Sequence, residues 1–185
     1  MIMKELALHV LDIVQNSISA KADTVEIAEI VSHEEDKLTI IIKDNGCGMD
    51  EDMQKHVIDP FTTSRTTRKV GLGIPFFKLG AEACDGEFSL RSKPGEGTEI
   101  SASYRISHID RPPMGDMAET ILTTVVTNEN VRFIYALDVD GRVFRFDTGE
   151  IRDTLGYDIP LSTPDVVQWM SDYLKQGIEE LNGGI

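Results

Sequence analysis

The chain has 185 residues, with 18 basic against 32 acidic side chains and a formal net charge of −14. That balance argues against a general nucleic-acid or anionic-membrane binder, although a small basic site can sit inside an acidic surface. Hydrophobic content of 41% and charged content of 27% suit a soluble globular protein, with length for one core or for a main domain and an appendage.

The N-terminus opens into an amphipathic pattern from Lys4 and Glu5, without the apolar core of a leader, and no apolar run approaches a membrane span. Leu6, Val10, Ile13, Val14 and Ile18 recur at spacings of three and four, which predicts a helix over 3–20 with one buried face. Asp12 and Asn16 are one turn apart on the same side of that helix. They read either as a solvated pair, or as a carboxylate and an amide aimed into a site, one handling a proton and the other a metal ion. Asn16 is a poor helix former at such a position.

Two strands are predicted next, Thr24–Val31 and Lys37–Asp44, joined by the acidic loop Ser32–Asp36. Val25 and Ile27, then Leu38, Ile40 and Ile42, alternate as a one-faced sheet requires. The second strand delivers Asp44 into KDNGCGMD, Lys43 to Asp50. A carboxylate at the mouth of a sharp turn can accept a hydrogen bond from an exocyclic amine. Gly46 and Gly48 would let a flat ring approach the backbone. Asp-Asn-Gly is equally an ordinary turn.

Asp50 is the expected N-cap of a short helix that ends before Pro60. Phe61–Val70 carries four threonines, one serine and three basic residues. It is either a solvated loop or a flap that meets phosphates through hydroxyls and guanidinium groups. Gly71 to Phe76 then opens a helix running to about Cys84, whose freed amides and glycines form a natural anion site. Neither a P-loop nor a Rossmann fingerprint is present, since Phe76 stands where the third glycine would be. Strands over Glu87–Ser92 and Thr98–Tyr104 follow, with Phe88, Leu90, Ile100, Ala102 and Tyr104 inward and Pro94–Thr98 turning between them. Cys47 and Cys84 make neither a metal spacing nor a disulfide framework, so a reducing cytoplasm is the expected compartment.

An Asp-x-x-x-Asn helix, a strand ending DNGCGM, a Pro-Phe loop, GLGI at a helix start and GEGT between strands occur here in one order. That order, over about residues 4–105, resembles the GHKL superfamily of ATP-binding domains: gyrase-type topoisomerases, Hsp90, sensor histidine kinases, MutL and the anti-sigma-factor serine kinases. The resemblance implies an α+β fold, a two-layer sandwich of the Bergerat type with helices on one face of a mixed sheet. ATP would lie between the helical layer and a lid. It implies that Asn16 binds magnesium, and that Asp44 reads the adenine amino group with Gly46 and Gly48 shaping the ring's pocket. Gly71 and Gly73 would meet the phosphates, while Gly97 and Thr98, with Gly95, form the last motif beside Asp44. Asp59, Pro60 and Phe61 match the segment before the lid, and Arg65 matches a basic lid residue of some histidine kinases. Met49, Thr63 and Leu72 complete the nucleotide-contacting set.

The sequence also departs from the family. Asp12 stands where glutamate is usual, one methylene short for the general base that the resemblance assigns there. Ser19 replaces a frequent lysine or aspartate, and the lid over about Thr62–Val70 is short, which argues against an ATP-driven clamp. None of His9, His33, His56 and His108 has the setting of a phospho-accepting histidine, and each reads better as a surface or core residue. A phospho-acceptor is therefore expected on another protein.

Arg111–Asp116 marks an expected boundary between an ATP-binding domain over 1–107 and a C-terminal α+β extension over 112–185. The extension is read as a helix over Asp116–Val126, a hairpin around Asp140-Gly141 and a terminal helix with Thr163 as N-cap and Pro164 at its first position. In that last helix Val166, Val167, Met170, Tyr173, Leu174, Ile178 and Leu181 mark the apolar face. From Ile106 onward the chain holds 14 acids against 6 bases. The extension either covers an edge of the ATP-binding unit or docks a protein partner or a second subunit. Three functions remain open: a histidine kinase-like protein transferring phosphate from Mg-ATP in trans, an ATPase switch, and a regulatory module that binds ATP or ADP without chemistry.

Overall fold

The structure is a computed structural model that describes residues 5–59 and 73–181. The lid positions Phe61, Thr63 and Arg65, and the glycine-motif positions Gly71 and Leu72, lie outside the described residues.

The first helix, α1, is Leu6–Ser19, and it buries Leu6, Val10, Ile13 and Val14. β1 (Thr24–Ser32) and β2 (Lys37–Asp44) follow as an antiparallel hairpin. Asp50 caps α2 (Glu51–Ile58) by accepting from the Met53 amide at 2.8 Å, which satisfies one of the amides left open at a helix start. α3 (Gly73–Ala83) carries Pro75 in its first turn, where a missing N–H costs nothing. β3 (Phe88–Lys93) and β4 (Gly97–Arg105) form the second hairpin. Ile100, Ala102 and Tyr104 are buried as the alternation predicts, whereas Phe88 and Leu90 are only half-buried. Their strand is the edge of the sheet and has a neighbour on one side only.

Beyond Pro112 lie α4 (Met117–Thr127, capped by Asp116), β5 (Arg132–Val139), β6 (Arg142–Asp147), α5 (Thr148–Leu155) and α6 (Pro164–Leu181). The turn between β5 and β6 places Asp140 at φ 52° and Gly141 at φ 83°, the left-handed pair that a type I′ turn requires. α5 has no counterpart in the sequence reading. The six strands form one sheet in the order β3-β4-β2-β1-β5-β6, in which β1 and β5 run parallel and all other neighbours antiparallel. The helices cover one face, giving the two-layer α+β sandwich that the motif order implies. α1 packs against α3 and α4, and α4 against α6. Among the described residues no helix is long and apolar enough to cross a membrane.

β1 turns an acid to the covered face. Glu29 of β1 is 2% exposed and accepts a hydrogen bond from the Tyr135 hydroxyl of β5 at 2.8 Å. Burial pushes its pKa up to about 7, and the Tyr135 bond offsets only part of that. The folded state therefore holds a proton that the unfolded chain releases near pH 4.5. The associated stability is complete below that pH and is lost as pH rises through about 7. Glu29→Gln should flatten this dependence and leave the variant more stable than the parent at pH 8 by about 3 kcal/mol, as read by denaturant unfolding at several pH values.

Candidate nucleotide site

The alternation of β2 that buries Leu38, Ile40 and Ile42 also turns Asp44 to the covered face, at the strand's last residue. Asp44 is 8% exposed, and a carboxylate so buried needs donors. Ser17 of α1 donates its hydroxyl to Asp44 Oδ2 at 2.7 Å, and the Gly46 amide donates to Oδ1 at 2.9 Å. β4 sets Thr98 directly opposite Asp44 in the ladder. Thr98 Oγ1 lies 2.9 Å from Ser92 Oγ, and Ser92 in turn accepts from the Met49 amide at 2.8 Å.

The loop after Asp44 is stitched on both sides. The Cys47 amide donates to Ala20 O at the end of α1, and the Gly95 amide donates to Cys47 O, each at 2.8 Å. Asn45 Oδ1 accepts from the Asp23 and Thr24 amides at 2.9 Å each, tying the loop to the start of β1. Two glycines make this closeness possible. A Cβ on Gly48, at φ +65°, would fall 1.8 Å from Lys93 O, and one on Gly97, at φ +100°, would fall 2.0 Å from Asp44 O.

These contacts enclose a cavity of about 360 Å³, within the range of small-ligand sites. Asn16, Asp44, Gly48, Met49 and Thr98 all line it. Its apolar wall comes from Ile13, Met53, Val57, Ile74 and Ile100, residues that the sequence reading treats as core or leaves aside. Asn16 Nδ2 is buried and has no hydrogen-bond partner among the described residues. A half-turn of the amide exchanges its oxygen and nitrogen, so this position suits either an acceptor on a ligand or a cation held by Oδ1. Among the described residues no cluster of three or more His, Cys, Asp or Glu could hold a metal. A divalent ion held through the Asn16 amide oxygen would fit the way magnesium is bound, by one or two protein oxygens together with phosphate oxygens of a ligand.

Asp12 and Gly73 meet beside this cavity. A Cβ on Gly73 would come 2.6 Å from Asp12 Cβ, so the glycine brings the first turn of α3 against the carboxylate-bearing face of α1. Ser17 and Ser92 escaped the sequence reading. Ser17 left one signal, a hydroxyl at a position where the α1 pattern calls for an apolar side chain.

A mixed sheet with one helical layer and a carboxylate-floored cavity at its strand ends defines a nucleotide-binding ATPase fold of the GHKL class. The family model described as "Histidine kinase-, DNA gyrase B-, and HSP90-like ATPase" matches residues 3–108, and the chain belongs to that family. A putative sensor protein of Shewanella frigidimarina is 32% identical over 102 residues, covering 54% of this chain and 16% of that protein. The signal transduction histidine-protein kinase AtoS of Escherichia coli is 31% identical over 100 residues, again 54% of this chain and 16% of the relative. The chain thus matches only a small part of the length of these relatives. Among solved structures, the MutL ATPase domain of Aquifex aeolicus complexed with ADP superposes with a TM-score of 0.52 at 17% identity. That match covers 95% of this chain and 70% of the other, and it shares the fold.

The stitched loop makes a graded prediction. Gly97→Ala sets a methyl against the Asp44 carbonyl at positive φ and should cost about 2 kcal/mol or more of unfolding free energy. Gly95→Ala, also at positive φ but with nothing within 4 Å of its Cβ, should cost only about 1 kcal/mol. Denaturant titration of the two variants reads the difference.

Proposed function

We propose that this protein binds Mg-ATP in the Asp44 cavity and transfers the γ-phosphate to a partner protein, as a histidine kinase-like phosphotransferase whose acceptor lies on that partner. The observation that carries the reading is Asp44, a buried carboxylate held by Ser17 and Gly46 on the floor of a mostly apolar cavity. A flat base with an exocyclic amine matches both features. Asp44 would accept from the amine, and Ile13, Met53, Val57, Ile74 and Ile100 would pack against the ring. Gly46, Gly48, Met49, Gly97 and Thr98 would shape its edge. The phosphates would then run toward the first turn of α3, with Phe61, Thr63, Arg65, Gly71 and Leu72 assigned to the lid and phosphate side by their motif alone. The first two relatives above, one a putative sensor protein and the other a named histidine kinase, support the transferase reading over this segment.

Magnesium, when bound, supplies charge neutralisation at the phosphates, and Asn16 with its unmatched amide is the residue assigned to hold it. Asp12 has two roles. It orients the acceptor, and it takes the proton released as the acceptor's nucleophilic atom bonds to the γ-phosphorus and the β–γ bridge oxygen leaves with ADP. Residues 112–185 are assigned to the partner or to a second copy. None of the four histidines lines the cavity, and His33 is engaged by Asp140 at 2.6 Å.

Asp44→Asn should weaken adenine-nucleotide binding by on the order of 1–3 kcal/mol, and unchanged affinity by calorimetry would remove the adenine assignment. Asn16→Ala should abolish the gain in affinity that magnesium gives. Equal binding by the parent protein with and without the ion would sink that role. Transfer itself is read by following label from γ-labelled ATP in a lysate of the source cells, with the parent protein and Asp12→Asn. Label on one lysate protein, lost in the variant, is the expected result. Label appearing only as free phosphate would replace the transferase with an ATPase switch, and nucleotide binding with no label moved would make the protein a nucleotide sensor.

A further inference from the structure

The uncovered apolar surface concentrates far along the chain. Of the twelve large hydrophobics that the described residues expose, five fall between Leu155 and Tyr173. Three of these, Leu155, Trp169 and Tyr173, line one groove between α5 and α6, of about 480 Å³. Ile151 and Leu155 form one wall, and Trp169 and Tyr173 the other. The Trp169 wall is built rather than incidental. Gly177 lets α6 lie close on β6, since a Cβ there would fall 2.1 Å from the Phe144 ring. Tyr173 then packs on Phe144, with ring centres 5.2 Å apart, and donates its hydroxyl to Arg145 O at 3.2 Å. Trp169 stacks on Tyr173 at 5.3 Å with planes 7° apart, yet remains 50% exposed. A rigid half-exposed tryptophan on a tyrosine, beside an arginine, has the composition of an interface hot spot.

The charges select the partner. Arg145 on the groove floor is consumed internally. It donates to Asp147 at 2.7 Å and pairs with Glu150, and Asp147 also receives Arg132 at 2.8 Å. That leaves Arg145 little capacity for an incoming anion. The outward charges are acidic: Asp165 and Asp172 stand four before and three after Trp169 on the same side of α6, both exposed. Lys175 projects about 200° round the helix from Tyr173. From Arg142 to Leu181 the chain holds eight acids against four bases. We infer that this groove docks a lysine- or arginine-rich segment of a partner protein, with one bulky apolar side chain inserted between Leu155 and Trp169 and the basic residues meeting the acidic rim. The inference does not depend on the nucleotide assignment.

Trp169 is the only tryptophan of the chain, so its emission reports the groove directly. The full chain is titrated with a synthetic amphipathic leucine–lysine peptide and with its leucine–glutamate counterpart. The lysine peptide should give a saturable blue shift, and the glutamate peptide none. Raising salt from about 50 to about 500 mM, which shortens the screening length to a few ångströms, should loosen binding at least tenfold. Leu155→Ser and Asp172→Lys should each weaken it about tenfold, while Glu34→Lys, the same charge change in a remote acidic loop, should leave it unchanged. Circular dichroism verifies that each variant is folded. Three results would overturn the inference: no shift with the lysine peptide, equal shifts with both peptides, or equal weakening by Glu34→Lys. A concentration-dependent shift without peptide, with dimers in sedimentation, would also overturn it and assign the groove to a second copy of this chain.

Discussion

The clasp on Asp44 is the interaction on which the candidate site depends. A carboxylate at the end of a buried strand face is costly unless donors reach it. Here the donors come from two directions, the Ser17 hydroxyl from the helical layer and the Gly46 amide from the turn that follows. Each oxygen is fixed by one bond and keeps a further lone pair for a ligand. The Ser17 bond also fixes how α1 sits over the end of β2, so the acid's orientation and the seat of the helix share one contact.

Around that clasp the loop from Asp44 to Met49 behaves as part of the core although it has no regular structure. Its amides and carbonyls are spent on Ala20, Gly95 and Ser92, and Asn45 reaches back to the start of β1. Rigidity here follows from the absence of side chains, since Gly48 and Gly97 admit backbone where a methyl would collide. The cavity is therefore preformed on its Asp44 side, which lowers the ordering cost of filling it.

Much of this was legible in the sequence because it is local. The alternation of β2, the cap at Asp50, the Asp140-Gly141 turn and the placing of Asp12 and Asn16 one turn apart on α1 are all set by residues a few positions apart. The motif order added the family and its fold. The illegible parts are non-local or weakly patterned. Ser17 and Asp44 are 27 positions apart, and only the packing of α1 on the sheet brings them together. α5 is an eight-residue helix with threonines at its first and seventh positions and a glycine at its second, residues that favour helix ends over helix interiors. The Asp140-Gly141 turn makes the C-terminal hairpin legible but not the strand it lies against, because no short turn joins parallel partners.

That parallel pairing bears on how the chain reaches its native state. Val25 on β1 meets Phe133 on β5, so closing the contact joins segments more than a hundred residues apart, at a substantial loop-closure cost. Contacts of this span form late. During synthesis β1 emerges, pairs with β2 on one side, and waits with its other edge open until β5 has been made. An open edge flanked by Val25, Ile27 and Val31 is a template for pairing with the wrong chain. The β5–β6 hairpin therefore also acts as an edge guard, and the nascent protein is most prone to aggregate in the interval before that hairpin docks.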